Sequence, residues 1–345
     1  WLGLYFQHYT PLSKRSELLM KPSIKIAVVI VNWNSGEYLG ECLRSLKGQS
    51  AQPDRVLIVD NASTDASLKG LEQEFAEWDF IKLETNTGFS AGNNLAVKRA
   101  EDCDWIAFLN PDAMPHPDWL ARLKEAPDQF PDAAWFGSHM QGYKNDRMDG
   151  TGDVYHVCGA AWRRDHGLQQ SEVKRQAGEI FSPCAAAAFI RRDVFLQEKG
   201  FDENFFCYNE DVDLGFRLRL KGYQCFYIPS AVVEHVGSAS TDRYSDFAVY
   251  HGQRNLVWSY FRNMPDPWFW IYLPQHILFN LSALIWFSLT GKAGAIFKAK
   301  WDALKGLPRV WKLRQVTQNT KAGSKVVDAM SKGLWVPYTK KKRSR

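Results

Sequence analysis

The chain has 345 residues, 45% of them apolar or aromatic, which suits one large α/β domain with an appendage or two small domains. The net charge of +5 conceals an asymmetry: residues 292–345 carry 15 Lys and Arg against 2 Asp and Glu, leaving 28 against 36 in residues 1–291. An acidic body (net −8) with a basic tail (net +13) points to an anionic surface, a membrane rather than a nucleic acid being expected, as the tail's partner. The six cysteines (42, 103, 158, 184, 207, 225) form no CxxC pair, which argues against a zinc site or disulfide framework and for reduced thiols facing the cytosol.

The chain opens on Trp1, and Met20 stands just before the first clear strand as a candidate start. Residues 1–19 hold no secretory h-region, so residues 1–24 are expected to lie outside the fold. Ile26–Val31 is a continuous β-branched run, the pattern of a strand buried on both faces. Tyr38, Leu39, Cys42, Leu43 and Leu46 follow at helical spacing. Val56–Val59 is a second strand ending at Asp60, Leu68, Leu71 and Phe75 mark a helix, and Phe80–Leu83 is a third strand. Gly88 opens a Gly/Asn-rich turn into a helix through Leu95, Val97 and Ala100, and Trp105–Leu109 is a fourth strand stopped by Asn110-Pro111-Asp112. This alternation predicts an α/β fold with a doubly wound, mostly parallel sheet, whose ligands bind beyond the carboxyl ends of the strands. Asp60, the turn after Asn86 and Asp112 all fall at such ends. Residues 113–180 lose the pattern and read as a long excursion rather than core strands. Ala185–Ile190 is a short apolar run. Leu214, Phe216, Leu218 and Leu220 place a helix after Glu210 that Gly222 closes, and Tyr223–Ile228 and Ala231–Val233 read as strands.

Several positions carry chemistry, each beside a plainer role. Asp60-Asn61-Ala62-Ser63 is either a turn with a helix cap or a hold on the base or ribose of a nucleotide. Asn86-Thr87-Gly88 through Asn94 is either a tight turn using glycine's freedom or a loop lining a nucleotide-sugar pocket; it is not a dinucleotide fingerprint. In Asn110-Pro111-Asp112 the proline either makes a turn or aims Asp112 into a cleft as ligand to a hard divalent cation, with diphosphate oxygens completing the shell. Glu210, Asp211 and Asp213 favour the positive end of a helix, and that role leaves Asp211 free to act as a general base toward a sugar hydroxyl. His235 is a structural histidine or a second cation ligand. Arg254 is a surface arginine or a cation for the diphosphate.

The ordered set of Val28–Asn34, Val56–Ser63, Asn86–Asn94, Phe108–Pro115, Ala185–Asp193, Gly200–Leu220, Pro229–His235 and Arg254-Asn255 resembles inverting family 2 glycosyltransferases of the rhamnosyltransferase-like branch, over roughly residues 25–262. The resemblance implies a GT-A fold, with Asp211 as the base and Asp112 and His235 as ligands of Mn²⁺ or Mg²⁺. Val31, Trp33, Asp60, Asn61, Gly88, Asn94, Asn110 and Arg254 would lie on the nucleotide-sugar side, and Cys184, Ala185 and Glu210 on the acceptor side. Asn110 departs from the family's DxD pattern, leaving one carboxylate fewer at the cation. The implied activity is sugar transfer from a nucleoside-diphosphate sugar, rhamnose being the family-led choice, to a glycolipid or polysaccharide acceptor in cell-envelope glycan synthesis. A nucleotidyltransferase should carry a Gly-rich, Lys/Arg-bearing loop where Asn32-Trp33-Asn34-Ser35-Gly36 stands, and a non-catalytic scaffold should have lost Asp112 or Asp211.

Residues 263–345 read as a membrane-associating region. Trp268–Gly291 holds no Asp, Glu, Lys or Arg and is about long enough for the ~20 residues of a span, but Pro274, Gln275, His276 and Asn280 interrupt it, and the plainer reading is a helix packed on the domain. Ile296, Phe297, Trp301 and Leu304 then interleave with lysines like an interfacial helix. A single span would part the nucleotide-sugar-using body from the basic tail, although both favour the cytoplasm. The expectation is therefore a peripheral or monotopic protein on the cytoplasmic face of the inner membrane.

Overall fold

The computed structural model describes residues 24–237, 245–318 and 323–333. The expected N-terminal extension, apart from Ile24, and the terminal basic run 340–345 lie outside the described residues. β1 (Ile26–Asn32) is buried along its whole length. Ile26, Val28 and Ile30 face one apolar cluster, while Ala27, Val29 and Val31 face the other. This two-residue alternation with apolar residues on both sides is why the sequence reads as one unbroken hydrophobic run. α1 (Tyr38–Lys47) buries Leu39, Cys42, Leu43 and Leu46 on the first of those faces. β2 (Arg55–Asp60) pairs parallel with β1. The helix expected around Leu68–Phe75 shrinks to α2 (Leu71–Glu74), because Gly70 sits at φ +78° and breaks the chain just before it. β3 (Asp79–Lys82) starts one residue earlier than expected and pairs parallel with β2. α3 (Gly88–Arg99) and β4 (Trp105–Leu109), parallel to β1, complete the first half.

Residues 113–180 correct the sequence reading. β5 (Ala113–Pro115) and α4 (Trp119–Gln129), which buries Trp119, Leu120, Leu123 and Ala126, lead into β6 (Ala133–Gly142). β6 is a central strand, not an excursion. Its apolar start, Ala133–Phe136, gives way to Gly137-Ser138-His139, and that polar second half masked the strand pattern. β7 (Met148–Gly150), β8 (Asp153–Tyr155), β9 (Ala161–Arg163) and β10 (Gly178–Glu179) are short. β11 (Ala187–Arg191) runs antiparallel to both β4 and β6, so the sheet is mixed rather than uniformly parallel. After α5 (Arg192–Gln197) and α6 (Glu210–Leu220), the two expected strands prove to be one, β12 (Gln224–His235), with a register irregularity between Ile228 and Val232. The ten-stranded sheet runs β10-β12-β6-β11-β4-β1-β2-β3, with β5 on β12 and β7 on β6.

α7 (Asp246–Asn263), α8 (Trp268–Leu289), α9 (Ala293–Thr317) and α10 (Gly323–Asp328) form the C-terminal helices. α9 lies against α7. Trp258 Nε1 donates to the Ala303 carbonyl at 3.0 Å, and a Cβ on Gly306 would come within 2.6 Å of the Trp258 ring. Arg309 of α9 donates to Asp202 at 2.8 Å, and Asp202 also receives Arg262 of α7. In α8, the His276 ring stacks on Tyr260 with centroids 3.9 Å apart. These helices are thus packed onto the sheet-bearing body, yet Trp270, Ile271, Ile277, Leu281, Ile285, Trp286, Leu289, Phe297, Trp301 and Leu304 stay exposed. Among the described residues no helix is long and apolar enough to cross a membrane.

Candidate active site

Because β1, β2 and β4 are parallel neighbours, their carboxyl ends share one edge of the sheet. Asp60 ends β2 buried, accepting from Asn32 Nδ2 at 3.0 Å. Asn61 bridges to the start of α3: its amide donates to the Gly88 carbonyl at 3.1 Å and its oxygen accepts the Thr87 N–H at 2.8 Å. Val31 is buried at the end of β1, where its methyls occupy the space a Cβ on Gly92 would need, and Trp33 is half-buried just beyond. Asn94 is turned away to a packing role, donating to the Phe201 carbonyl at 2.8 Å and accepting the Phe201 N–H at 3.0 Å. Gly88 has φ +87°, and a Cβ there would lie 2.6 Å from Phe206, so this turn requires glycine both for its backbone and for close approach.

Beside that edge, the segment after β4 meets the end of β12. His235 Nε2 lies 3.2 Å from Asp112 Oδ1 and 3.4 Å from Asn110 Nδ2. The other ring nitrogen, Nδ1, is 2.8 Å from Asp149 Oδ2. Burial lowers the His235 pKa, but the adjacent Asp112 and Asp149 carboxylates outweigh it and push it up to about 9. Burial likewise works against the Asp149 charge, yet Arg163 and His235 hold its carboxyl well below the usual range. The Asn110 Oδ1 atom is buried and has no hydrogen-bond partner among the described residues. A carboxylate and an imidazole nitrogen 3.2 Å apart, beside a side chain whose buried amide oxygen is left unsatisfied, suit a divalent cation of hard or borderline character. Among the described residues no three His, Cys, Asp or Glu side chains form a complete cage. Asp112, His235 and Asn110 would therefore hold the ion jointly with oxygens from a ligand.

The acidic segment stands at the start of α6. Phe206, Tyr208 and Asn209 all have positive φ, so the backbone approaches the helix through a tightly wound loop. Arg254 and Asn255 of α7 hold that loop. Arg254 donates to the Asn204 and Phe205 carbonyls at 2.9 and 3.0 Å, and Asn255 Nδ2 donates to the carbonyls of Phe205, Cys207 and Tyr208. Arg254 also packs against the Trp258 ring at 4.4 Å. Its guanidinium is thus committed to the loop rather than extended toward a diphosphate. Asp211 accepts the Ala185 N–H on Oδ2 at 3.1 Å and its neighbour Val212's N–H on Oδ1 at 2.8 Å. Burial raises its pKa, while those N–H groups and Arg163 restrain the rise. Glu210 is buried with Oε2 unpartnered among the described residues, and burial together with Asp211 raises its carboxyl well above the ordinary value. Cys184, buried just before Ala185, lies near Arg163 and Asp211, and burial drives its thiol well above the ordinary range.

Three residues of this site escaped the sequence reading. Asp149, Asp153 and Arg163 lie on β7, β8 and β9. Asp153 is buried beside Asp211, and burial and that charge raise its carboxyl well above the ordinary value. The one available signal was Asp149-Gly150-Thr151-Gly152-Asp153, two acids bracketing a glycine-bearing turn.

The Glycosyl transferase family 2 profile matches residues 27–197. The N-acetylglucosaminyl-diphospho-decaprenol L-rhamnosyltransferase of Mycobacterium tuberculosis is 30% identical over 244 residues, covering 63% of this chain and 78% of that protein. Rhamnosyltransferase WbbL of Escherichia coli K12 is 26% identical over 222 residues, covering 59% of this chain and 81% of that protein. The solved structure of GalNAc-T7 with UDP, GalNAc and Mn²⁺ superimposes on 89% of this chain with a TM-score of 0.65 at 13% identity. The matched part is 56% of the GalNAc-T7 chain, and it shows the same GT-A-like α/β fold. The chain belongs to glycosyltransferase family 2 and is a glycosyltransferase of rhamnosyltransferase-like sequence.

Proposed function

We propose that this glycosyltransferase moves a sugar, rhamnose in the first instance, from a nucleoside-diphosphate sugar to a lipid-linked or polysaccharide acceptor in cell-envelope glycan synthesis, with inversion at the anomeric carbon. The observation that carries the reading is the placement of Asp211, half-buried and held ionisable by the Ala185 and Val212 N–H groups, in a site that also brings Asp112 to His235. The activities named for the mycobacterial and E. coli relatives support the sugar, and the mycobacterial one supports an acceptor joined to lipid through a diphosphate.

In the proposed displacement the acceptor hydroxyl oxygen bonds to the anomeric carbon while the bond from that carbon to the nucleoside diphosphate breaks. Asp211 takes the hydroxyl proton, and the leaving group departs on the opposite face. Asp60 and Asn61 line the nucleotide end, where the buried Asp60 carboxylate offers an acceptor to a ribose or base. Asp112, His235 and the Asn110 side chain would hold Mn²⁺ or Mg²⁺, which supplies charge neutralisation for the departing diphosphate.

The exposed apolar faces of α8 and α9 support a place on the cytoplasmic surface of the inner membrane. Trp270, Trp286 and Trp301 offer interfacial rings, and Lys298, Lys305 and Lys312 lie among them to meet anionic headgroups. The direct test incubates the protein with a panel of nucleoside-diphosphate sugars and Mn²⁺ and follows diphosphate release with and without a polyprenyl-diphosphate-linked N-acetylhexosamine. Acceptor-stimulated release from a deoxyhexose donor supports the reading. Release from none of the panel overturns it.

A further inference from the structure

We infer that Asp149 is a positioning residue for the proposed cation site: by accepting the Nδ1 proton of His235 it fixes that ring with Nε2 turned toward Asp112. The inference rests on the reading that Asp112 and His235 hold a divalent cation.

The placement is made by the sheet. His235 ends β12 opposite Gly142, and β7 pairs with the same end of β6 through Met140 with Gly150 and Gln141 with Met148. Two strands flanking one strand end thus bring Asp149 to His235 across a gap of 86 residues in sequence. The β6–β7 register is irregular between Met140 and Gln141, a deviation of the kind that re-aims side chains next to active sites. The result is a buried contact, Oδ2 to Nδ1 at 2.8 Å, with only 7% of Asp149 exposed.

The carboxylate is itself held from two further sides. Arg163 of β9 donates to the same Oδ2. The His166 Nδ1 stands 3.5 Å from Oδ1 and donates to the Asp149 carbonyl at 2.8 Å. A carboxylate so fixed cannot rotate freely, and neither can the imidazole that donates to it. Once a cation displaces the Nε2 proton, the ring still protonated on Nδ1 offers its Nε2 lone pair, and the accepting carboxylate behind it makes that nitrogen more basic. Nε2 is the nitrogen beside Asp112 and Asn110. Arg163 also moderates the charge of Asp211, so the strap formed by β7, β8 and β9 reaches both the cation site and the base.

The competing role for Asp149 is as counterion to Arg163 alone, and substitutions separate the two. Mn²⁺ is titrated into the full-length protein with and without uridine diphosphate, and free Mn²⁺ is read by electron paramagnetic resonance. Asp149→Ala should weaken Mn²⁺ binding by about 10–100-fold, the usual effect of losing such a partner. Asp149→Asn should recover part of that loss, because its amide oxygen still accepts the Nδ1 proton although the charge is gone. In a His235→Ala background Asp149→Ala should change Mn²⁺ affinity by less than about twofold. Equal losses for Ala and Asn would assign Asp149 to Arg163 alone and overturn the inference. Tight Mn²⁺ binding by wild type that Asp149→Ala leaves unchanged would overturn it while sparing the cation reading; no binding by wild type would overturn both. If the unpaired guanidinium prevents Asp149→Ala from folding, Asp149→Ala/Arg163→Met compared with Arg163→Met carries the same test.

Discussion

The Ala185 N–H donates to Asp211 Oδ2 at 3.1 Å, joining the loop before β11 to the start of α6 at the proposed base. With Oδ1 meeting the Val212 N–H at 2.8 Å, each oxygen has one lone pair engaged and another left for a substrate hydroxyl. Burial makes the group a stronger proton acceptor, and the N–H bonds keep it ionisable. Turnover should therefore fall as pH drops through the raised pKa of this carboxyl cluster, giving an acid limb above the ordinary aspartate value of 3.8. Arg163→Met removes a charge that lowers the Asp211 pKa, so the limb should move to higher pH. A pH profile of kcat checks both the limb and the direction of its movement.

Asp112→Ala should weaken nucleoside-diphosphate binding when Mn²⁺ is present and change it little in EDTA, because in the proposed site the lost carboxylate would contact the ion rather than the nucleotide. Calorimetric titration of the diphosphate under the two conditions measures the difference. Equal affinity loss in both would place Asp112 on the nucleotide directly.

Glu210 offers a stability test with a definite sign. Its folded-state pKa is raised well above 4.5 by burial and Asp211, so the folded protein binds this proton more tightly than the unfolded chain. That stabilisation is present at low pH and is lost as pH rises from the unfolded value through the folded one. Glu210→Gln removes the buried charge, so its gain in Tm over wild type should grow with pH and vanish in acid. Calorimetric melts across the pH range read the trend.

The face proposed to meet the membrane, formed by α8 and α9, allows membrane affinity to be tested separately from folding. Trp286, Leu289, Trp301 and Leu304 are exposed, so replacing them with serine or glutamine should leave Tm nearly unchanged. Flotation with anionic liposomes should fall sharply, and high salt should further release wild type only in part, since screening weakens the lysine contribution and leaves the apolar one. Removing the helices altogether is a different experiment. Arg314 donates to the Met264 carbonyl at 2.5 Å and Trp258 packs at Gly306, so truncation strips contacts from α7 and should destabilise the body.

The first half of the fold was legible because β1, β2 and β4 are buried on both faces and announce themselves as apolar runs. β6 was not legible: its second half carries Ser138, His139 and Gln141, and its partners come from distant segments. The site divided the same way. Asp112, His235 and Asp211 stand at element ends with local signatures, whereas Asp149, Asp153 and Arg163 reach the site only through the pairing of short strands. Arg254 and Asn94 read as ligand-facing from sequence, and their side chains are instead spent on backbone carbonyls of the 201–208 loop. A polar side chain's partner is set by tertiary contact, which local sequence does not specify.

The central claim is that Asp211 accepts the proton in an inverting transfer, and one comparison tests it most directly: kcat and sugar-donor Kd for Asp211→Asn beside wild type. Asparagine keeps the oxygen that meets the Ala185 N–H but cannot take up a proton. The account predicts a folded variant with unchanged donor Kd and a kcat reduced by about 10²–10⁴-fold. A kcat within about threefold of wild type would contradict it and move the base elsewhere in the Asp153, Glu210 and Asp211 cluster.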